Sequence, residues 1–142
     1  MAVVIDHSRQ EVASWRPGNR TQLKLGAPTG TERIAVIEQW FEPGTGAPTH
    51  THGDVEETIT VLRGTAEFWI DDQRAVVEAN STIVLPPFSR HGFTNAGGDE
   101  LHIMAIWSVA SVPTEYVEEP RRTYRIGGDD GRRADAARTV SD

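Results

Sequence analysis

Short runs of residues that favour β-strands fill the middle of the chain. The runs are rich in Val, Ile, Thr and aromatic residues, and Gly, Pro, Asn and Asp stand between them. This alternation is typical of an all-β domain. It predicts strands near residues 22–25, 33–41, 57–62, 65–70, 74–78, 82–85, 92–94 and 100–109.

Two pairs of these strands are separated by residues that tolerate turn conformations. Arg63 and Gly64 separate one pair, and Asp71 and Asp72 separate the next, so we expect two hairpins in an antiparallel meander. In residues 68–70 and 101–109, apolar residues occupy both faces of the strand. Part of the outer surface should therefore be covered, either by the N-terminal segment or by a second subunit, and we expect a homodimer.

The length of 142 residues suits one domain. We expect an N-terminal arm over residues 1–20 that contacts the partner of a dimer, a β domain over 21–118, and a polar tail over 119–142. From Gly127 onward the residues are Gly, Asp, Arg, Ala and Ser with little to bury. Such a composition favours a flexible or weakly helical tail.

The charge balance excludes one class of partner. The formal net charge is −7 and Lys24 is the single lysine, so the chain is not built to neutralise a nucleic-acid backbone. The apolar run near the N-terminus has four residues and is followed by Asp6, which supports neither a signal peptide nor a membrane span. We expect a cytoplasmic protein with a small-molecule partner, without nucleic-acid or membrane binding.

A pair of histidines carries the first sign of a binding site. The sequence contains no cysteine, so a metal would need nitrogen and oxygen ligands. His50 and His52 are separated by one residue, and in an extended chain positions i and i+2 point to the same face. Glu57 lies at an odd spacing from His52, and the intervening Gly53 and Asp54 supply a turn that lets it face the same way.

Glu57 and His91 both fall on apolar strand faces. Glu57 shares its face with Ile59 and Val61, and His91 shares its face with Phe93 and Asn95. A buried, unpaired carboxylate costs several kcal/mol, and a metal ion removes that cost. His7 and His102 are isolated histidines of the ordinary polar kind, although strand parity leaves open whether Arg33, Gln39 and His102 face the interior.

The residues around these ligands resemble two motifs of the cupin superfamily. The stretch GTGAPTHTHGDVEETITVLRG, residues 44–64, is similar to the first motif. Residues 80–95, with Pro86, His91 and Asn95 in register, resemble the second. The likeness extends over roughly residues 21–109 and implies a β-barrel of the jelly-roll type, an antiparallel double-stranded β-helix.

The resemblance also implies a ligand set of three histidines and one glutamate: His50, His52, Glu57 and His91. The spacing from the glutamate to Gly64 selects Glu57 over Glu56. Asn80 and Phe88 stand where the second motif has glycine. Phe88 would bring a large ring near His91 and narrow the barrel mouth, so the expected substrate pocket includes Phe88, Phe93, Asn95 and His102.

Three imidazoles and one carboxylate suit one divalent transition metal ion, Fe, Mn, Ni, Cu or Zn, and leave coordination positions open. The first hypothesis is a dioxygenase-type oxidoreductase acting on a small oxygenated organic molecule in the barrel, with Glu57 as ligand and catalytic proton shuttle. The second is a non-redox isomerase, lyase or polyketide-type cyclase. The third is a non-catalytic protein that binds or senses metal and a small molecule, and a purely structural metal also stays open.

Overall fold

The computed structural model describes residues 2–128 and 137–140, which form thirteen strands and two 3-10 helices, His7–Arg9 and Ala27–Thr29. The strands are β1 (Val3–Ile5), β2 (Asn19–Leu25), β3 (Ala35–Phe41), β4 (Gly46–Thr51), β5 (Glu57–Arg63), β6 (Thr65–Ile70), β7 (Gln73–Glu78), β8 (Ser81–Leu85), β9 (His91–Asn95), β10 (Leu101–Trp107), β11 (Val112–Tyr116), β12 (Thr123–Ile126) and β13 (Ala137–Thr139). No helix in these ranges has the length and apolar character needed to cross a membrane.

Two antiparallel sheets make up the barrel. One has the order β2-β3-β10-β5-β8 and the other β12-β11-β4-β9-β6-β7, while β1 and β13 pair as a separate ribbon. Neighbours within each sheet are mostly distant in sequence, because the chain passes from one sheet to the other as it winds. This is the double-stranded β-helix, and the expected all-β jelly-roll fold is confirmed.

Strict alternation of buried and half-buried residues defines the inner faces. On β3 and β10, every second residue is buried, as the two-residue period of a strand requires. Ile37, Ala105 and Ile59 lie level with one another across three neighbouring strands. The same rule places Glu57 and His91 inside, because each occupies a buried position of its strand.

The structure corrects the predicted meander at one turn and confirms the other. The pair Asp71 and Asp72 joins β6 to β7, which pair along their whole length. Arg63 and Gly64 do not close a hairpin, because β5 and β6 belong to different sheets. Gly64 has φ 93°, and a Cβ there would lie 3.1 Å from the carbonyl oxygen of Glu100, so this glycine serves a tight crossing between sheets.

The two ends of the chain hold more structure than the sequence indicated. Thr123–Ile126, within the predicted polar tail 119–142, forms β12 and pairs with β11. Residues 129–136 lie outside the described residues, so the expected tail conformation there is untested. The N-terminal arm is fastened to β2 of its own chain, through backbone hydrogen bonds of 2.9 and 2.7 Å between Ala13 and Thr21.

The two departures from the cupin motif sit at left-handed backbone positions. Asn80 has φ 67° and Phe88 has φ 66°, a conformation that glycine adopts without strain and that Asn tolerates far better than a bulky side chain. Phe88 is also 70% exposed, so burial of its ring compensates little of the backbone strain. Phe88 is therefore a strained position within the loop before His91.

We predict that Phe88→Gly raises the free energy of unfolding by about 0.5–1 kcal/mol. Removing the left-handed strain gains about 1–2 kcal/mol, and the greater freedom of glycine in the unfolded chain returns about 0.5–1 kcal/mol. Urea denaturation measures the change. The matched control is Asn80→Gly, which should shift stability by a smaller amount; a loss of stability in Phe88→Gly would contradict the strain argument.

Candidate metal centre

The four predicted ligands meet at one point between the two sheets. Glu57 begins β5 of the five-stranded sheet, whereas His91 begins β9 of the six-stranded sheet and is paired with His50 on β4. His52 follows β4 directly. One ligand atom from each of the four residues lies within 4.8 Å of the others, and all four residues are buried. Both sheets therefore contribute to the cluster.

Local chain geometry explains how the ligands converge. The rings of His50 and His52 lie 4.9 Å apart, because residues two apart on an extended segment share a face. Gly53 follows with φ 70°, and this left-handed turn allows the chain to reverse before Glu57. The break expected between His52 and Glu57 is thus present at the residue that permits it.

The polar atoms at the centre are close together but do not hydrogen bond. Glu57 Oε1 lies 2.9 Å from His91 Nε2 and 3.3 Å from His52 Nε2. These distances fall in the hydrogen-bond range, yet the directions do not, and all three buried atoms lack a hydrogen-bond partner. Buried polar atoms are rarely left without a partner. Atoms that converge on a common point in this way are arranged as ligands of a shared cation.

The opposite ring nitrogens fix the orientation of the imidazoles. His50 Nδ1 donates to the carbonyl oxygen of Pro48 at 2.7 Å, and His52 Nδ1 donates to that of Pro113 at 3.0 Å. A carbonyl only accepts, so the neutral rings carry their proton on Nδ1 and direct the lone pair of Nε2 toward Glu57 and the cluster. This is the tautomer that binds metal, held by the outer partners that metal-binding histidines commonly have.

Burial and proximity shape the charges of the cluster. Burial, reinforced by the neighbouring His91 and His52, lowers the pKa of His50 to about 3, so this ring stays neutral. Burial alone would raise the pKa of Glu57, but the hydrogen bonds and positive charge that His52 and His91 supply in their protonated form outweigh burial and lower this pKa to about 2. Neutral imidazole and ionised carboxylate are the protonation states that a divalent cation requires. The donor set therefore fits a first-row divalent metal.

A cavity of about 520 Å³ opens beside the cluster. His50, His52 and Glu57 form part of its wall. Aromatic rings supply much of the remainder: Trp15, Phe41, Phe93, Trp107, Tyr116 and Tyr124. The volume lies within the range of sites that hold a small organic molecule.

One of the four residues expected in the substrate pocket lines the cavity. Phe93 lines the cavity. Phe88 instead projects outward, since 70% of it is exposed. Asn95 is buried, but its amide nitrogen donates to the carbonyl oxygens of Phe41 and Asp99 at 3.0 and 2.8 Å, so it joins the end of β3 to the loop before β10 rather than lining the cavity.

His102 lies on the outer face of the five-stranded sheet. Its ring stacks on Trp40 with centroids 4.7 Å apart, and its Nε2 lies 2.8 Å from Glu38. The predicted pocket role is therefore wrong, because the buried residues of β10 are its odd-numbered ones. Of the residues whose direction the sequence left open, Gln39 lines the cavity, whereas Arg33 is exposed in the loop before β3.

The sequence did not predict several of the residues that line the cavity. Trp15 and Arg16 come from the N-terminal arm, and Tyr116 and Tyr124 come from β11 and β12. None belongs to a motif, and β11 and β12 were not predicted. Trp107 of β10 also lines the cavity, and its ring lies 5.5 Å from that of His52 between centroids.

A double-stranded β-helix with a three-histidine, one-glutamate cluster inside defines a class of metal-binding β-barrels. A family model described as "Cupin domain" matches residues 38–107, which include all four cluster residues. The chain belongs to the cupin superfamily.

The chain is similar to several characterised proteins. It is 28% identical over 103 residues to auxin-binding protein 1 of Arabidopsis thaliana, covering 66% of this chain and 52% of that protein. It is 27% identical over 84 residues to the polyketide synthase CurC of Streptomyces cyaneus, covering 59% and 52%. The chain thus spans about half the length of these curated relatives.

Among solved structures, the polyketide cyclase RemF of Streptomyces resistomycificus superposes with a TM-score of 0.67 at 21% identity. The superposition covers 82% of this chain and 86% of that one. At this level of identity the likeness establishes the fold.

We predict that the protein purified without added metal contains about one equivalent of a divalent transition metal, and that His91→Ala loses most of it. Removal of one ligand leaves the cluster incomplete and Glu57 without its nearest imidazole, 2.9 Å away. Elemental analysis measures the content. His102→Ala is the matched control, because His102 lies outside the cavity, and it should retain the metal; equal content in both variants would contradict the assigned site.

We predict that the metal-free protein loses stability as the pH falls from about 6.5 toward 3. The pKa of His50 is about 3 in the folded chain and 6.5 as its ordinary value, so in this window the unfolded chain binds a proton that the folded chain does not. Glu57, with a pKa lowered from 4.5 to about 2, adds to the same trend below pH 4.5. Urea denaturation across this range tests it, and His50→Leu should flatten the upper part of the profile.

Proposed function

We propose that this chain is a metal-dependent enzyme that acts on a flat, oxygenated polyketide-type molecule and promotes a ring-forming step without redox change. The observation that carries the proposal is the joining of a ligand-like cluster to a large cavity with aromatic walls. When bound, a divalent metal at the cluster would supply Lewis-acid activation of a substrate oxygen.

Cavity size and lining support this class of substrate. About 520 Å³ is far more room than a two-carbon acid needs, and it suits a molecule of several rings. Trp15, Phe93 and Tyr116 are among the lining residues, and aromatic side chains favour stacked or edge-to-face contacts with other rings. A planar polyphenol or folded polyketide would use such walls; a small aliphatic acid would not.

Two of the similar proteins support the cyclase, which was the second hypothesis from the sequence. One curated relative bears the name of a polyketide synthase, and one solved structure of similar fold is a polyketide cyclase. The dioxygenase stays a second candidate because three imidazoles and a carboxylate also suit iron, manganese or copper. The relative named for auxin binding supports the third candidate, a protein that binds a ligand without converting it.

The residues of the chain have distinct roles in this proposal. His50, His52 and His91 would hold a metal through Nε2, and the carbonyls of Pro48 and Pro113 orient the first two rings. Glu57 is ionised, which suits a ligand. A carboxylate with a pKa of about 2 is a weak base, so the catalytic proton transfer expected of Glu57 stays a prediction.

A homodimer and a cytoplasmic location also stay predictions from the sequence. Ala13 of the arm pairs with Thr21, and the side-chain amide of Gln22 on β2 donates to the carbonyl oxygen of His7 in the arm, so the arm contacts β2 of its own chain. A monomeric mass in solution would count against the dimer.

The decisive experiment compares zinc-loaded and iron-loaded protein in air and under nitrogen. Each sample is incubated with a panel of polyphenols and poly-β-ketone thioesters, and products are analysed by mass spectrometry. We expect zinc to support turnover, nitrogen to leave it unchanged, and products to form by carbon–carbon bond formation with loss of water. Zinc has no redox chemistry, so activity with zinc under nitrogen excludes an oxidation.

The same experiment separates the other candidates. Turnover only with iron and air, with oxygen atoms in the product, would identify a dioxygenase. Tight binding without any product would identify a binding protein. Glu57→Gln should reduce turnover at least a hundredfold by weakening the metal site, whereas His102→Ala should leave it within about twofold, since surface changes away from a site have small effects.

A further inference from the structure

Gln39 is a polar side chain of the cavity that lies outside the four-residue cluster. Gln39 is 8% exposed and lines the cavity from the inner face of β3. Its amide nitrogen donates to Thr21 Oγ1 at 2.9 Å, and Thr21 is itself only 2% exposed. Among residues 2–128 and 137–140, no hydrogen bond reaches the side-chain amide oxygen Oε1 of Gln39, and this atom is not one of the fully buried unpaired polar atoms, so it is open to the cavity. One end of the amide is therefore anchored in the wall and the other is offered to the cavity.

Strand register gives the separation between Gln39 and Glu57 of the cluster, measured along the strands. Gln39 lies opposite Ile103, and Glu57 lies opposite Trp107 of the same strand, β10. The two levels are thus four residues apart, or about 13 Å at 3.3–3.4 Å per residue. Ile37 and Ala105 occupy the level between them and also line the cavity. On the five-stranded sheet, the cavity wall therefore carries polar groups at these two levels and apolar residues at the level between them.

We propose that Gln39 is a specificity-determining residue that accepts a hydrogen bond from the distal hydroxyl of an elongated, multi-ring substrate. The near end of that substrate lies at the cluster formed by His50, His52, Glu57 and His91. The inference rests on the proposed function for its near end, because it assumes that an oxygen of the substrate meets the metal. The inference adds two requirements to the proposed function: a minimum length of the substrate and a second polar group at its far end.

Physical chemistry favours this role over a purely structural one. A buried amide in an apolar region is costly unless its donors and acceptors find partners. Thr21 satisfies one end, and the other end finds a partner only when water or a ligand enters. A site built to hydrogen bond a hydroxyl discriminates strongly against an analogue that lacks it, because the buried polar group is then left unpaired. A single-ring ligand at the cluster would be too short to reach Gln39.

A matched pair of probes tests the proposal. Zinc-loaded protein is titrated with 2,6-dihydroxyanthraquinone, which carries a hydroxyl at each end, and with 2-hydroxyanthraquinone, which lacks the distal one. Binding is followed through the fluorescence of Trp15 and Trp107, both of which line the cavity. We expect the wild type to bind the dihydroxy probe about tenfold more tightly. Hydroquinone, which is short, should bind independently of Gln39.

The variants are Gln39→Met, which keeps the volume, and Gln39→Leu in case the first alters packing. Each should bind the dihydroxy probe about tenfold more weakly and the monohydroxy probe unchanged, which abolishes the preference. Thr21→Val should reduce the preference in part, because it releases the anchored end of the amide. Gln73→Leu, the same exchange at an exposed position of β7, is the control and should match the wild type.

The outcomes separate this inference from the proposed function. If the folded Gln39 variants keep the full preference, or if the wild type shows none, Gln39 is not the distal contact and the inference is overturned, whatever the enzyme assays give. If the preference follows Gln39 while no turnover is found with any metal, the recognition role stands and the enzymatic proposal fails.

Discussion

The structure depends on one constraint: three imidazoles and a carboxylate converge between the two sheets. Glu57 belongs to one sheet, and His50 and His91 belong to the other. Without a cation, the lone pair of His52 Nε2 faces the carboxylate of Glu57 at 3.3 Å in an apolar interior, an arrangement that costs free energy. With a cation, the same contacts join the sheets. Fold and site are therefore coupled through one buried charge.

Much of the fold could be predicted from the sequence because it leaves local patterns, and the cluster could be predicted because its residues also stand in two stretches that resemble the cupin motifs. The two-residue period marks the inner face of β5 through Glu57, Ile59 and Val61, and the histidine pair needs only extended chain to share a direction. The crossing at Gly64 could not be predicted in this way. A glycine turn looks the same whether the chain pairs with the preceding strand or moves to the opposite sheet, and only long-range packing decides.

The cavity was less accessible to sequence reasoning than the cluster, for a physical reason. Its walls come from the arm, from β3 and from β11 and β12, which meet only after the barrel closes. Successive residues of a strand face opposite sides of the sheet, so either His102 or Ile103 faces inward. The composition of β10 is compatible with both arrangements. Gln39 and His102 were left open on the same ground, and the structure placed the first inside and the second outside.

The location of the cluster between the sheets has a consequence for the lifetime of the protein in the cell. If a cation joins the ligands of the two sheets, a chain without it would keep a repulsive centre and would open more readily between the sheets. Proteases act on such transiently opened chains. The supply of metal would then determine the lifetime of the protein, and when metal is scarce the metal-free molecules would be degraded first.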